Sequence, residues 1–468
     1  MAAQDRNNGG IEGLFDVAVV GGGVVGCAIA REFTLAGART ILLEQGPDIL
    51  SGASKANSAI LHTGFDAPVG SLEQRLVAES HALYCKLHDR LNLPLLETGA
   101  LLVAWSEAEE ARLPEIIADA HRNGVGDVEP VTAAQARARV PALGPLARAG
   151  VVIPREYVID PWTAPLAYLS QAVRNGAVAL FRAAVESGDF DGSAWHLTTP
   201  RGTVHAAHVI NAAGLHGDQL DQALLGASAF TIRPRKGQFV VFDKAAARLV
   251  DTILLPVPTT RTKGVVVCPT IFGNVLVGPT AEEQDSRTDT SVKQATLEAL
   301  KAEAARLVPA LAQVPVTAVY AGLRPASEEK DYRILATPAR HWITVGGIRS
   351  TGLTGALGIA RHVLGLYGNR HAPLPDPAWQ QMPNLAEYRP RDWSSPGHGE
   401  IVCHCELVTR REIEAALLGD LPAADLAGVK RRTRAMMGRC QGFYCAARIS
   451  ELVDGAIDPP FAVGPAHG

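Results

Sequence analysis

The segment FDVAVVGGGVVGCAIAREFTLAGARTILLEQG, residues 15 to 46, constrains this chain more than any other. An apolar run, a glycine turn, a helical stretch and a second apolar run spell a βαβ unit, and so an α/β fold. Gly21, Gly23 and Gly26 fit G-x-G-x-x-G. The first permits the tight turn, the second lets backbone approach a pyrophosphate, and the third lets the helix pack on the strand. A helix N-terminus with free N–H groups favours that anion. Glu44 ends the second run eighteen residues after Gly26. A carboxylate there can accept both hydroxyls of an adenosine ribose and repels a 2′-phosphate, which disfavours NADP. The motif by itself does not separate FAD from NAD.

The rest of the body narrows the choice. Residues 51 to 80 begin SGASKANSAILHTGF, with small and polar side chains where backbone must wrap a large cofactor; Ser54, Asn57 and Ser58 are the candidates. The run TVHAAHVINAAG brings Ala213 and Gly214 to a strand end. VGGIRSTGLTG, from 345, is a second glycine-rich helix entry, with Gly347, Arg349, Gly352, Leu353 and Thr354 as cofactor contacts. Its N–H groups suit negative charge on a reduced flavin ring. Between these lie sheet-like stretches at 97–105, 230–243 and 263–280, the last with a hairpin turn near Gly273 and Asn274.

NSAILHTGF, PVGSLEQRL, VINAAG, GLRP and GIRSTGLT, in this order, resemble the FAD-dependent glycerol-3-phosphate dehydrogenase/oxidase group. That group sits among D-amino-acid-oxidase-like flavoproteins, with the 2-hydroxyglutarate dehydrogenases. The resemblance spans about residues 14–370 and implies non-covalent FAD and a Rossmann-like FAD-binding domain with an inserted mixed-sheet substrate domain. It also implies oxidation of a small polar substrate over the flavin face. The expected nucleotide-binding parts are about 14–80, 150–220 and 320–370, and the substrate layer about 81–149 and 225–319. His62 is the expected base, because imidazole titrates near neutral pH and the related enzymes place a histidine of this motif beside the flavin. Arg324 in AGLRP is expected to grip a carboxylate or phosphate at two points. Lys263 is a second cation, and Ser350 is expected to reach the pocket. RPRKG, 233–237, is a further cationic candidate whose alternative reading is an exposed strand edge.

Four of the seven cysteines fall in the last seventy residues. A proline-rich connector, 371–400, leads to a small helical module at 401–460 carrying Cys403, Cys405, Cys440 and Cys445 as C-x-C and C-x4-C. Residues two apart on an extended segment face one side, so the first pair can converge. Such thiolates suit zinc or an iron–sulfur cluster. GVKRRTRAMMGRCQGFYC resembles the bacterioferritin-associated-ferredoxin-like [2Fe–2S] domain that ends the anaerobic type of glycerol-3-phosphate dehydrogenase. Lys430, Arg431, Arg432 and Arg434 are expected on a solvated helix face, with an anion or acidic partner as the alternative. Cys27, Cys85 and Cys268 sit in apolar surroundings and read as small buried hydrophobes.

The 468 residues carry a net charge of −4, without the basic excess that nucleic-acid binding needs. The polar N-terminal stretch shows neither the cationic start nor the unbroken apolar stretch of a signal peptide, and no run approaches the roughly 20 apolar residues of a spanning helix. A cytoplasmic protein is expected, with peripheral contact at the inner membrane face or association with other subunits left open. The combined features predict a dehydrogenase taking a small anionic alcohol, glycerol 3-phosphate or a 2-hydroxy acid. Its electrons would leave through the cluster to an external acceptor: a quinone, a ferredoxin or a partner subunit. The alternatives are an amino- or imino-acid (opine-type) dehydrogenase and a non-catalytic electron-transfer subunit.

Overall fold

In a computed structural model that describes residues 11–259, 264–368 and 370–457, the βαβ unit forms where the sequence places it. Strand β1 (Leu14–Val20), helix α1 (Val24–Leu35) and strand β2 (Thr40–Leu43) follow one another. Both strands are nearly continuous apolar runs, as a sheet covered on two faces requires. Helix α1 is buried all round, as its sequence VVGCAIAREFTL, with little polar face, dictates.

Strand β3 (Gly202–Asn211) pairs parallel with β1, and β1 pairs parallel with β2. In the register Val20 stands beside both Leu43 and Asn211. The glycine turn, Glu44 and the Ala212–Gly214 turn therefore leave the sheet at one edge, the carboxyl ends where open α/β sheets bind ligands.

The second sheet has nine strands and contains β4 (Arg233–Phe242) paired antiparallel with β5 (Val316–Ala326). The expected hairpin is present: strands 266–269 and 275–278 pair antiparallel around Gly273, whose φ is +80°. Two segments assigned from sequence to the nucleotide half pair here instead, residues 150–153 and 320–326. Strand β6 (Trp342–Gly346) returns to the first sheet beside β3 and feeds helix α2 (Gly352–Tyr367). Helix α2 lies against α1 and the helix 72–87; a Cβ at Gly358 would collide with Leu76 O, so glycine sets that close approach.

A three-stranded ribbon joins the halves. Ile60–Leu61 pairs antiparallel with Tyr157–Ile159, with Leu61 opposite Tyr157. This register puts His62 next to Glu156.

The C-terminal module packs on both halves around its own small core, which includes Cys403, Val408, Ile413, Val429, Cys445 and Ile449. Its basic helix α3 (Leu426–Thr433) is not the solvated face expected from sequence. Arg432 is buried against Asp48, and Arg434, beyond the helix end, is buried against Glu406. Two buried carboxylates, one of them 384 residues away in sequence, draw these guanidiniums inward. The Arg434 guanidinium also lies 3.8 Å from the centre of the Phe272 ring, which stacks on Trp162 at 5.4 Å. Trp162 Nε1 donates to Lys55 O.

Candidate active site and thiol cluster

A cavity of about 850 Å³ lies between the two sheets. Gly21, Gly23, Glu44, Ser54, His62, Arg324, Arg349 and Ser350 line it, as do Asn57, Ser58, Ala213, Gly214, Gly352 and Leu353.

The glycine turn behaves as its spacing demands. Gly21 has φ +115°, and a Cβ there would sit 2.5 Å from Ala212 O. A Cβ at Gly26 would collide with Gly21 O, so Gly26 serves packing and does not line the cavity. Helix α1 has no side-chain cap at Gly23; Ser54 Oγ instead accepts from Val24 N at 3.1 Å. Glu44 accepts from Gly22 N at 2.6 Å and Gly46 N at 2.7 Å. Burial raises its pKa above the usual carboxylate range; those two N–H groups oppose the shift, Asp48 adds to it and Arg431 counters it.

Three predicted residues act on backbone shape. Asn57 spans a turn, donating to Ser54 O and accepting from Ala59 N. Gly347 has φ +67°, and a Cβ there would press on Arg333 at 2.8 Å. Thr354 is buried, accepts from His62 N at 3.1 Å and donates to Ile60 O at 3.0 Å, fastening the histidine segment to α2. Gly347 and Thr354 do not line the cavity. Lys263 lies outside the described residues.

His62 Nδ1 is 2.7 Å from Glu156 Oε2, and Glu156 is 0% exposed. The other carboxylate oxygen accepts from Thr63 N at 2.6 Å and Thr63 Oγ1 at 2.8 Å. A proton on Nδ1 directed at Glu156 leaves Nε2 as the basic nitrogen. Sequence reasoning missed Glu156. Its only local signal is an acid preceding the short apolar strand YVI, and the partnership exists through pairing across 94 residues.

Arg235 and Arg324 stand directly opposite each other on β4 and β5, and both line the cavity with Arg349. Burial first, then Arg235 and Arg349, push Arg324 down to about 10. Arg324 Nη2 donates to Thr280 O at 3.1 Å, and glycine at 237 makes room, since a Cβ would lie 2.7 Å from that nitrogen. Like charges directly across a strand pair are destabilising, so the arrangement favours an anion in the cavity. Within RPRKG the arginine at 235 reaches the cavity, while Lys236 is buried against Asp289 at 2.8 Å. Arg287, also in the wall, is held by both oxygens of Asp218.

The four C-terminal thiols form two cross-motif pairs, Cys403 with Cys445 and Cys405 with Cys440. Each pair takes one thiol from C-x-C and one from C-x4-C. Backbone N–H of Tyr444, helped by contact with Cys405 and the N–H groups of Gly442 and Phe443, holds Cys440 below the usual thiol range against the opposing effect of burial. Burial, then Cys403, pushes Cys445 up to about 12. A Cβ at Gly438 would collide with Cys405, so glycine lets the two motifs meet. Among the described residues no three His, Cys, Asp or Glu side chains gather as a single-ion site. Cys27 and Cys268 are buried, Cys85 half-buried.

Residues 16–366 match the family model of FAD dependent oxidoreductases. The chain belongs to that family. Residues 401–454 of this flavoprotein match a BFD-like [2Fe-2S] binding domain. The flavoprotein is 31% identical to a glycerol 3-phosphate dehydrogenase of Caloramator mitchellensis, over 94% of each chain. It is 27% identical to a subunit of the anaerobic glycerol-3-phosphate dehydrogenase of Escherichia coli K12, over 94% of this chain and 88% of that one. Among solved structures, dithionite-reduced L-alpha-glycerophosphate oxidase from Mycoplasma pneumoniae with FAD bound superposes with a TM-score of 0.75 at 26% identity. The match covers 80% of this chain and all of that one.

The residues present fit both groups of this FAD-dependent iron–sulfur oxidoreductase. A helix start with no side-chain cap from Gly23, side chains too small to obstruct, and a cavity of about 850 Å³ suit a dinucleotide. Two thiol pairs suit two irons with two thiolates each. Among the described residues, no helix of the flavoprotein is long and apolar enough to cross a membrane.

Proposed function

We propose that this flavoenzyme oxidises the secondary alcohol of glycerol 3-phosphate or a close phosphorylated analogue. The observation that carries the reading is the opposed pair Arg235 and Arg324, joined by Arg349, in the same cavity as His62. Three guanidiniums match a phosphate dianion better than a single carboxylate, and the bidentate fork matches its oxygens. When bound, FAD supplies an acceptor for an electron pair, and the [2Fe–2S] group a one-electron outlet.

The chain's own residues do the rest. His62 Nε2 takes the hydroxyl proton, and Glu156 steadies the imidazolium as charge develops on it. The arginines fix the phosphate so that the alcohol carbon faces the ring site, with Ser350 at the same wall. Glu44 receives the adenosine ribose, Gly21 to Gly23 and the start of α1 the pyrophosphate, and the start of α2 the flavin ring. Ser54, Ser58, Ala213 and Gly214 line the path between them. Cys403, Cys405, Cys440 and Cys445 hold the cluster, and the external acceptor is a quinone, a ferredoxin or a further subunit.

The test is an anaerobic substrate panel with an artificial electron acceptor. Turnover on glycerol 3-phosphate, with little on glycerol or 2-hydroxyglutarate, is the expected result. Turnover confined to glycine, proline or other amino acids overturns the proposal, as does silence on every alcohol.

A further inference from the structure

Of the charged contacts between the C-terminal module and the nucleotide half, one is buried. Arg432 Nη1 and Nη2 donate to the two oxygens of Asp48 at 2.5 and 3.0 Å, with Asp48 1% and Arg432 9% exposed. The approach is close because α3 carries glycine at 428, where any Cβ would collide with Asp48. Asp48 belongs to the loop leaving β2 just after Glu44. Its side chain accepts from Ile49 N at 2.7 Å, its carbonyl from Ser51 Oγ at 2.7 Å, and Leu50 N in the same loop donates to Gly22 O at 2.9 Å. The loop is thus laced to the glycine turn on one side and to α3 on the other.

Arg431 lies beside this clamp, 3.7 Å from Asp48 and 3.9 Å from Asp425. Its Nε and Nη2 are buried and make no hydrogen bond among the described residues. Among the described residues, Asp48 on its own loop, Cys27 on α1 and the Arg431 cation on α3 face Glu44.

We propose that Arg431 and Arg432 are positioning residues for FAD: through their positive charge the iron–sulfur domain holds the Asp48 loop, and with it Glu44, closed on the adenosine end. The inference rests on the reading that Glu44 receives the ribose hydroxyls. An ionised Glu44 offers lone pairs to those hydroxyls while still accepting from Gly22 and Gly46. A protonated one loses an acceptor and adds a competing donor. Burial and Asp48 both drive Glu44 toward the protonated form. Without the guanidinium, Glu44 takes up its proton at higher pH, and FAD affinity falls earlier on acidification.

The experiment is FAD titration of deflavinated full-length protein, followed by quenching of flavin fluorescence across a pH series, with iron and labile sulfide measured on each sample. Arg431→Gln is expected to move the acid limb of FAD binding upward, so that its affinity falls below that of the wild type by a factor that grows as the pH drops. Arg431→Lys, which keeps the charge, is expected to keep the wild-type limb and guards against a glutamine variant that misfolds. Wild-type affinity and pH profile in Arg431→Gln with full iron content overturns the proposal. So does an acid limb in Arg431→Lys shifted upward by as much as expected for the glutamine variant, which makes the role steric. Unchanged FAD affinity in Glu44→Gln overturns the underlying ribose reading instead, and so separates the two failures.

Discussion

Replacing Glu156 by glutamine tests the catalytic pair most sharply, because the structure fixes how the new amide must sit. Glu156 Oε1 accepts two hydrogen bonds from Thr63 and Oε2 faces His62 Nδ1 at 2.7 Å. Only a carbonyl oxygen can replace Oε1, so the glutamine NH₂ must point at Nδ1. A donor there makes Nδ1 the acceptor and places the ring proton on Nε2, the nitrogen that should receive the substrate proton. Losing the charge-assisted bond alone costs about 1.5–3 kcal/mol, or about tenfold to about a hundredfold in rate. Reversing the tautomer adds to this, and a comparable change in a histidine–carboxylate protease pair costs about 10⁴. The expected result is at least a hundredfold slower bleaching of flavin absorbance after anaerobic rapid mixing with glycerol 3-phosphate, about 2.7 kcal/mol. KM should barely move, since Glu156 does not line the cavity. Bleaching at the wild-type rate, or a loss expressed wholly in KM, refutes the reasoning.

Arg324→Lys keeps one charge but loses the fork, and is expected to raise KM for glycerol 3-phosphate by about tenfold or more, with a smaller change in kcat; steady-state kinetics showing unchanged KM would contradict the anion site. His208, stacked on His341 at 4.4 Å, is pushed from 6.5 down to about 4, by burial first and then by Arg370 and His341. Between those values the unfolded chain binds the extra proton, so stability falls as pH drops from about 6.5 toward 4. Thermal unfolding of His208→Phe should show a flatter profile over that window, and coincident profiles would count against this account.

What the sequence disclosed was what local chemistry enforces. The glycine turn and Glu44 were readable because the turn, the helix start and the strand end lie within one βαβ unit. The thiols were readable because cysteine is scarce elsewhere in this chain, although their crossed pairing was not. Glu156 and the facing of Arg235 on Arg324 stayed hidden, since both are products of strand pairing between distant segments. The basic run 430–434 was misread because charge in a helix ordinarily means solvent; its burial depends on Asp48 and Glu406, which no local pattern announces. Residues 150–153 and 320–326 moved between sheets for the same reason, because an apolar strand does not state which sheet it joins.

The connector from 371 to 400 is a girth strap, not a leash. Leu374 N donates to Leu35 O at 2.9 Å, Met382 N to Leu91 O at 3.0 Å and Glu387 N to Ile271 O at 2.8 Å, so it is stitched to the nucleotide half and then to the substrate half. A redox carrier on a slack tether can commute between donor and acceptor. Here the four-thiol end is moored to the body at three points along its connector.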